Sequence, residues 1–215
     1  MEITWYGLSC FRMRSRKLTI VADPYDAVVG PALPRLRANV VTSSHDAPGH
    51  NYASAVRGQD HVFLGPGEYE VSGVFITGVI THHRGKAGER ERNTSFLYQF
   101  EDVSICHLGD LGTLPGREQV ELLSGADVLL LPVGGGDTLD AAKAVEIVTE
   151  LEPKIVVPMH YALPAFNLDL DEVEKFLKEM GVPAPEPVPS LKLTKSDFLI
   201  EEIRVVLLEP LGVGE

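Results

Sequence analysis

The chain has 215 residues, 44% of them hydrophobic and 23% charged, a balance ordinary for a soluble globular protein. Its net charge of −12 argues against general electrostatic binding to nucleic acid or to anionic membranes, while leaving room for a small anionic substrate held locally. No apolar stretch approaches the roughly eighteen residues of a membrane span, and the opening Met1-Glu2-Ile3-Thr4-Trp5-Tyr6 carries neither a basic nor an apolar leader segment. A cytoplasmic protein is expected. The two cysteines, Cys10 and Cys106, form no disulfide framework and read as buried thiols in strands.

Strand signals come first along the chain: Ile3 to Tyr6, Cys10 to Arg14, then Lys17 to Ala22, stopped at Asp23-Pro24. Asn39-Val40-Val41-Thr42 reads as a short buried strand. Further β-like runs are His61 to Leu64, Val74 to Thr81, Ser95 to Phe100, Val103 to His107, Val128 to Leu131, Ile155 to Pro158 and Arg204 to Leu208. Gly65-Pro66-Gly67 marks a turn, and the mixed-charge run from Arg84 to Arg92, including Lys86, reads as an exposed hairpin loop. Helical periodicity is weak over Gly116 to Leu123 and clearer over Leu139 to Leu151, where Ala142, Val145, Ile147, Val148 and Leu151 are expected on one face. A last helix over Asp171 to Met180 places Val173, Phe176, Leu177 and Met180 on a stripe and ends at Gly181. Gly134-Gly135-Gly136 reads as a flexible loop after a strand, and Pro183 to Pro189 as an extended connector. No low-complexity linker interrupts the chain before Gly181, so one α/β (α+β) domain over residues 1–215 is expected.

Three apolar strands each deliver an imidazole or a carboxylate at the C-terminal end: Val40–Ser44 before His45, Val103–Gly109 before Asp110, and Ile155–Met159 before His160. Ligands in layered α/β folds gather at such ends, and imidazole with carboxylate suits zinc, iron or manganese.

The segments Gly7-Leu8-Ser9, Asp23-Pro24, His45 to His50, His107-Leu108-Gly109-Asp110 and Pro158-Met159-His160-Tyr161 occur in this order and rough spacing. Together they resemble the metallo-β-lactamase superfamily, in particular its small "Zn-dependent hydrolase" branch, which resembles L-ascorbate-6-phosphate lactonase. The resemblance implies an αβ/βα sandwich of two facing sheets with helices outside and a metal site along one edge. It implies H-x-H-x-D-H just beyond a strand. Here His45 and His50 stand at the first and last positions, Ala47 where the second His belongs and Gly49 where the Asp belongs.

Carried over residue by residue, the resemblance leaves His45, His50, His83, Asp110 and His160 as candidate metal ligands. His83 is preferred to His82 because adjacent strand residues face opposite ways and the family ligand lies at the strand's end. Asp23 is expected to orient a ligating imidazole from behind, His107 to support the site or sit in the core, and Asp46 to be solvated. In the family's reaction a metal lowers the pKa of its bound water from about 15.7 to about 7, with Asp110 a candidate catalytic group. Leu8, where many relatives have His, makes the pocket drier. His50, Asp110 and His160 suffice for one catalytic ion, which needs three protein ligands and an open position, but neither half of a two-metal site is complete. The expectation is therefore weak binding of one zinc, iron or manganese ion, or none. Two functions remain: hydrolysis of a small ester, lactone or phosphoester, or non-catalytic binding of a small molecule or protein partner in the same cleft.

Overall fold

The computed structural model describes residues 1–85, 88–199 and 202–213. Strands β1 (Glu2–Trp5), β2 (Phe11–Arg14) and β3 (Thr19–Ala22) form an antiparallel meander. After the two-residue β4 (Leu36–Arg37), β5 (Val40–Thr42) joins β3 in parallel. Strand β6 (Val56–Arg57) pairs with β4 outside the main sheets, and β7 (His61–Phe63) extends the first sheet beside β5.

The second sheet starts from β8 (Gly67–Val71), β9 (Val74–Arg84) and β10 (Arg90–Gln99), an antiparallel set. It continues through β11 (Ser104–His107), β12 (Val128–Pro132) and β13 (Ile155–Met159), the last three parallel to one another. Near the C-terminus β14 (Leu191–Lys192) adds to β1 and β15 (Arg204–Val205) to β13. The result is a six-stranded sheet, β14-β1-β2-β3-β5-β7, and a seven-stranded sheet, β15-β13-β12-β11-β10-β9-β8.

Every residue of β12 and β13 is buried, the pattern of parallel strands covered on both faces. Helices α1 (Arg117–Leu123), α2 (Ala141–Leu151) and α3 (Val173–Glu179) supply that cover. The first packs on β9 and β10, the second on β12, and the third against the second. Asp140 caps α2 by accepting from the Lys143 amide. The buried stripe of α2 is Ala144, Ile147, Val148 and Leu151: the expected Ile147, Val148 and Leu151 lie on it, whereas Ala142 is exposed and Val145 only half-buried. A spacing of three to four residues counted back from Leu151 falls on Ala144. In α3 the expected Val173, Phe176 and Leu177 are buried.

Between the sheets Ile3, Trp5, Phe11, Ile20, Val40, Ile76, Phe96, Tyr98 and Ile105 fill one continuous core, each large side chain contributing roughly 1.5–3 kcal/mol by its burial. A second cluster, with Tyr6, Leu8, Tyr25, Leu36, Val41 and Phe166, lies outside the first sheet under a cover of loops. The turn expected at Gly65-Pro66-Gly67 leads directly into β8, an edge strand hidden from sequence reading by its short run and exposed glutamates. The hairpin loop expected over 84–92 is narrower, because β9 runs to Arg84 and β10 starts at Arg90; Lys86 and Ala87 lie outside the described residues. No helix among the described residues is long and apolar enough to cross a membrane.

Candidate metal centre

The ends of β5, β9, β11 and β13 open on the same edge of the sandwich. Beyond β5 the chain turns through Ser43 and Ser44 to His45. Beyond β11 it passes Gly109, whose φ of +63° and crowded surroundings exclude a side chain: a Cβ there would lie 2.5 Å from Ser44 Cβ and 2.6 Å from Asn93 Oδ1. This tight passage brings Asp110 inward. Beyond β13, His160 adopts a left-handed φ of 51° and its amide donates to the Leu8 carbonyl at 3.2 Å. Three non-glycine residues around the site, Leu8, Asp23 and His160, hold positive φ, a conformation costing about 1–2 kcal/mol each and retained where the surroundings enforce it.

These turns gather four imidazoles round one carboxylate. Asp110 Oδ2 lies 3.7 Å from His50 Nε2 and 3.9 Å from His45 Nε2, and Asp110 Oδ1 lies 3.3 Å from His160 Nε2. The His45 ring is 4.3 Å from that of His50 and 4.6 Å from that of His83, centroid to centroid. Candidate ligand atoms of His45, His50 and Asp110 all fall within 4.8 Å of one another. His50, His83, Asp110 and His160 are buried and His45 nearly so.

Asp23 stands behind His50, fully buried. Its Oδ2 accepts from His50 Nδ1 at 2.8 Å and from the Ser44 hydroxyl at 2.6 Å, and its Oδ1 accepts from the Ser44 amide at 2.8 Å. A proton held on Nδ1 leaves the Nε2 lone pair of neutral His50 aimed at the centre, the arrangement usual for metal-ligating histidines. His83 is set similarly, with Nδ1 donating to the Arg84 carbonyl at 3.2 Å. His82 faces away: its carbonyl accepts from Gly112 and Thr113 amides, and its side chain lines a separate 350 Å³ cavity. His107 is in the core, its Nε2 bonded to the Ser9 carbonyl at 2.8 Å and its ring edge-on to Phe11. Asp46 is exposed.

Burial works against ionised Asp110, yet His160, His50 and His45 hold its pKa below the usual carboxylate range. Asp23 follows the same logic, with burial opposed by its hydrogen bond from His50 and by neighbouring imidazoles. Burial lowers the pKa of His160 and pushes His45 down to about 4, with His50 adding to the effect. For His50, burial is outweighed by Asp110 and Asp23, and its pKa rises.

One observation tests whether a cation fits. Asp110 Oδ1 and His160 Nδ1 are buried with no hydrogen-bond partner. An unpaired buried polar atom costs about 1–3 kcal/mol, and more if charged. A divalent cation between Asp110 Oδ1 and the imidazole nitrogens that face it would satisfy that oxygen, though not His160 Nδ1, which lies on the ring's other side; the donor types suit zinc, iron or manganese.

Sequence reading did not single out Asn93, which is completely buried near the start of β10. Its Nδ2 donates to the Leu108 carbonyl at 2.9 Å and to Thr81 Oγ1 at 2.7 Å, and its Oδ1 accepts from the Asp110 amide at 2.9 Å. An asparagine opening the otherwise apolar run Phe96-Leu97-Tyr98 is the only signal that could have marked it. Gly134, read as part of a flexible loop, instead packs beneath the site: a Cβ there would lie 2.1 Å from the His160 carbonyl. At Gly49 a side chain has room, since its Cβ would meet only Leu8 Cδ1, at 3.9 Å.

A two-sheet sandwich with histidines and a carboxylate gathered at one edge is an arrangement of the metallo-beta-lactamase fold. The beta-lactamase superfamily domain matches residues 2–160, and the chain belongs to that superfamily. A UPF0173 protein of Pyrococcus furiosus is 30% identical over 201 residues, spanning 85% of this chain and 93% of its own. A UPF0173 metal-dependent hydrolase of Thermoplasma acidophilum is 28% identical over 203 residues, spanning 82% and 89%. Among solved structures, a metallo-beta-lactamase superfamily protein of Thermotoga maritima matches with a TM-score of 0.79 and 36% identity, covering 96% of this chain and 97% of that one.

Proposed function

We propose that the chain is a metal-dependent hydrolase of a small ester, lactone or phosphoester, with His50, Asp110 and His160 holding its principal ion. The observation that carries this reading is the buried, unpaired Asp110 Oδ1 ringed by imidazoles. Zinc, iron or manganese bound there would polarise the substrate's carbonyl or phosphoryl oxygen and acidify water. Asp23 keeps His50 in the ligating tautomer. Leu8 and Gly49 leave an apolar wall where the family motif has a carboxylate, so positioning of the attacking water falls to Asp110 and His45. The absence of His at 47 and Asp at 49 makes this a depleted site, with weaker metal retention than an intact motif would give. The same absence favours a second reading, in which the cleft binds a small molecule or protein partner without turnover.

Metal content, measured by inductively coupled plasma mass spectrometry on protein purified without chelator or affinity metal, separates the two. About one ion per chain or more, lost in His160→Ala, followed by turnover in a screen of esters, lactones and phosphoesters, is the expected result. Metal-free protein that gains no ion on incubation with zinc, iron(II) or manganese(II) would overturn the hydrolase reading and leave the binding one.

A further inference from the structure

The end of the β9–β10 hairpin carries different chemistry on its two faces. On one, His83 turns to the metal centre with Glu91 opposite it in the register, and Glu91 Oε2 lies 3.7 Å from His83 Nε2. On the other, Arg90 stands directly opposite Arg84, and Arg92 directly opposite His82. Residues paired in this way share a face, with Cβ atoms about 4.5–5.5 Å apart, and like charges so placed are destabilising. Three guanidiniums and an imidazole thus gather on a chain whose net charge is −12. Among the described residues, Arg84 alone of the three arginines has a carboxylate in ion-pair range, Asp140 Oδ2 at 3.8 Å.

The cavity of about 350 Å³ that His82 lines opens at this face, and Arg90, Thr113, Leu114, Pro115 and Gln119 also border it. Its volume falls at the lower end of the roughly 300–1,000 Å³ usual for small-molecule sites. The wall is held by bonds of its own. Thr113 Oγ1 donates to the His82 carbonyl at 3.3 Å, Gln119 Nε2 donates to the Ile80 carbonyl, and Gln119 Oε1 accepts from the Gly116 amide at 2.7 Å. Thr81, at the back, is taken up by Asn93 and Ser95. The polar side chains left to meet a ligand are the His82 imidazole and the Arg90 guanidinium. Both present N–H donors, and the guanidinium fork matches the paired oxygens of an anion.

We propose that this cavity binds the phosphate group of a small phosphorylated molecule, held by Arg90 and His82, with Arg92 adding its charge from across the hairpin. A phosphate monoester carries about −1.5 to −2 charges at pH 7 and three acceptor oxygens. It therefore answers both donors and offsets the repulsion between the paired cations, which a carboxylate, with one charge and two oxygens, does less well. A small occupant follows from the acidic surface as a whole, which repels extended polyanions. Neighbouring residues of a strand point to opposite faces, so this cavity and the metal centre lie on opposite sides of β9. The occupant is a ligand distinct from the molecule hydrolysed, and the inference stands independently of the hydrolase reading.

The test is titration of metal-free, isotope-labelled full-length protein with inorganic phosphate, followed by amide chemical shifts, with sodium chloride adjusted to keep ionic strength constant. Saturable shifts centred on His82, Arg90, Thr113 and Gly116 are expected. Arg90→Gln and His82→Gln should each weaken binding by about tenfold or more, the effect of losing one hydrogen bond to a charged group. The same spectra report whether each variant is folded. His160→Ala, in the metal centre, and Arg14→Gln, which removes an equal charge on β2, should leave the affinity unchanged. Acetate should bind at least about tenfold more weakly than phosphate. Shifts that fail to saturate, that persist in both Arg90→Gln and His82→Gln, that centre on His45, His50 and His160, or that acetate reproduces at equal concentration would each overturn the proposal. Because no metal is present in the titration, none of these outcomes bears on whether the chain is a metal-dependent hydrolase.

Discussion

The inner and outer halves of the centre differ in how they are supported. His50, Asp110 and His160 are buried; Asp23 fixes the His50 ring, while Asn93 and the Leu8 carbonyl hold the backbone amides of Asp110 and His160. His45 and His83 are about as enclosed as Asp110 and His160, but the Glu91 carboxylate beside His83 is half in solvent. Ala47 and Gly49, which the resemblance sets where the family motif has a His and an Asp, sit in the loop between His45 and His50, where neither residue is buried. Donors on a loop can thus disappear while the scaffold that orients the remaining ones stays whole, because that scaffold is built into strand ends and the core.

The largest expected effect comes from the shared carboxylate. Asp110→Ala should abolish tight metal binding altogether, a loss above about 100-fold that mass spectrometry of purified protein would register. Retention of an ion in that variant would break the inner half as defined. Next, Asp23→Asn removes no candidate ligand, only the carboxylate that holds His50 Nδ1, yet should weaken metal binding by about 10- to 100-fold in calorimetry. A joint Ala47→His and Gly49→Asp substitution runs the comparison in reverse. Gly49 has space for the side chain, and zinc affinity should rise by about tenfold or more in competition with a chromophoric chelator.

Acid should sharpen the contrast further. A protonated imidazole cannot ligate, so affinity falls by about tenfold for each pH unit below the pKa of a histidine that must lose its proton. With its pKa raised, His50 meets this competition at a higher pH than an ordinary histidine, whereas His45, near 4, escapes it across the physiological range. Titrating cobalt absorbance downward from pH 8 should therefore release the inner ion through His50 while His45 is still deprotonated. The smallest effect is on the fold itself. Asn93→Ala leaves the Asp110 amide unpaired and the Leu108 carbonyl with only the Ser95 hydroxyl as donor, and should cost about 1–3 kcal/mol in chemical denaturation.

Much of this was legible from residue order alone. The apolar runs before His45, Asp110 and His160 locate strands whose ends must share one edge, and alternation on β9 separates His83 from His82. What was hidden depends on pairing between distant segments. Asn93 acquires its role only when β10 lies beside β11, and Glu91 only when the β9–β10 register sets it opposite His83. Gly134 and Gly85 look like loop glycines until the His160 carbonyl and the Glu91 carboxylate are seen to occupy the space of their absent Cβ atoms. The stripe on α2 was misjudged only at its first turn, at Ala142 and Val145, for a simpler cause: small and β-branched residues fill most of the helix, so composition constrains its rotation weakly.

The bond from the Asp110 amide to the Asn93 side chain has a use beyond support. Most protected amides in a sandwich exchange with solvent only when the strand ladder opens, but this one is guarded by a single side chain at the floor of the pocket. Its deuterium uptake would time the local breathing of the cradle separately from unfolding of the sheets. A slowing on addition of cobalt would make that amide a gauge of occupancy that needs no substrate.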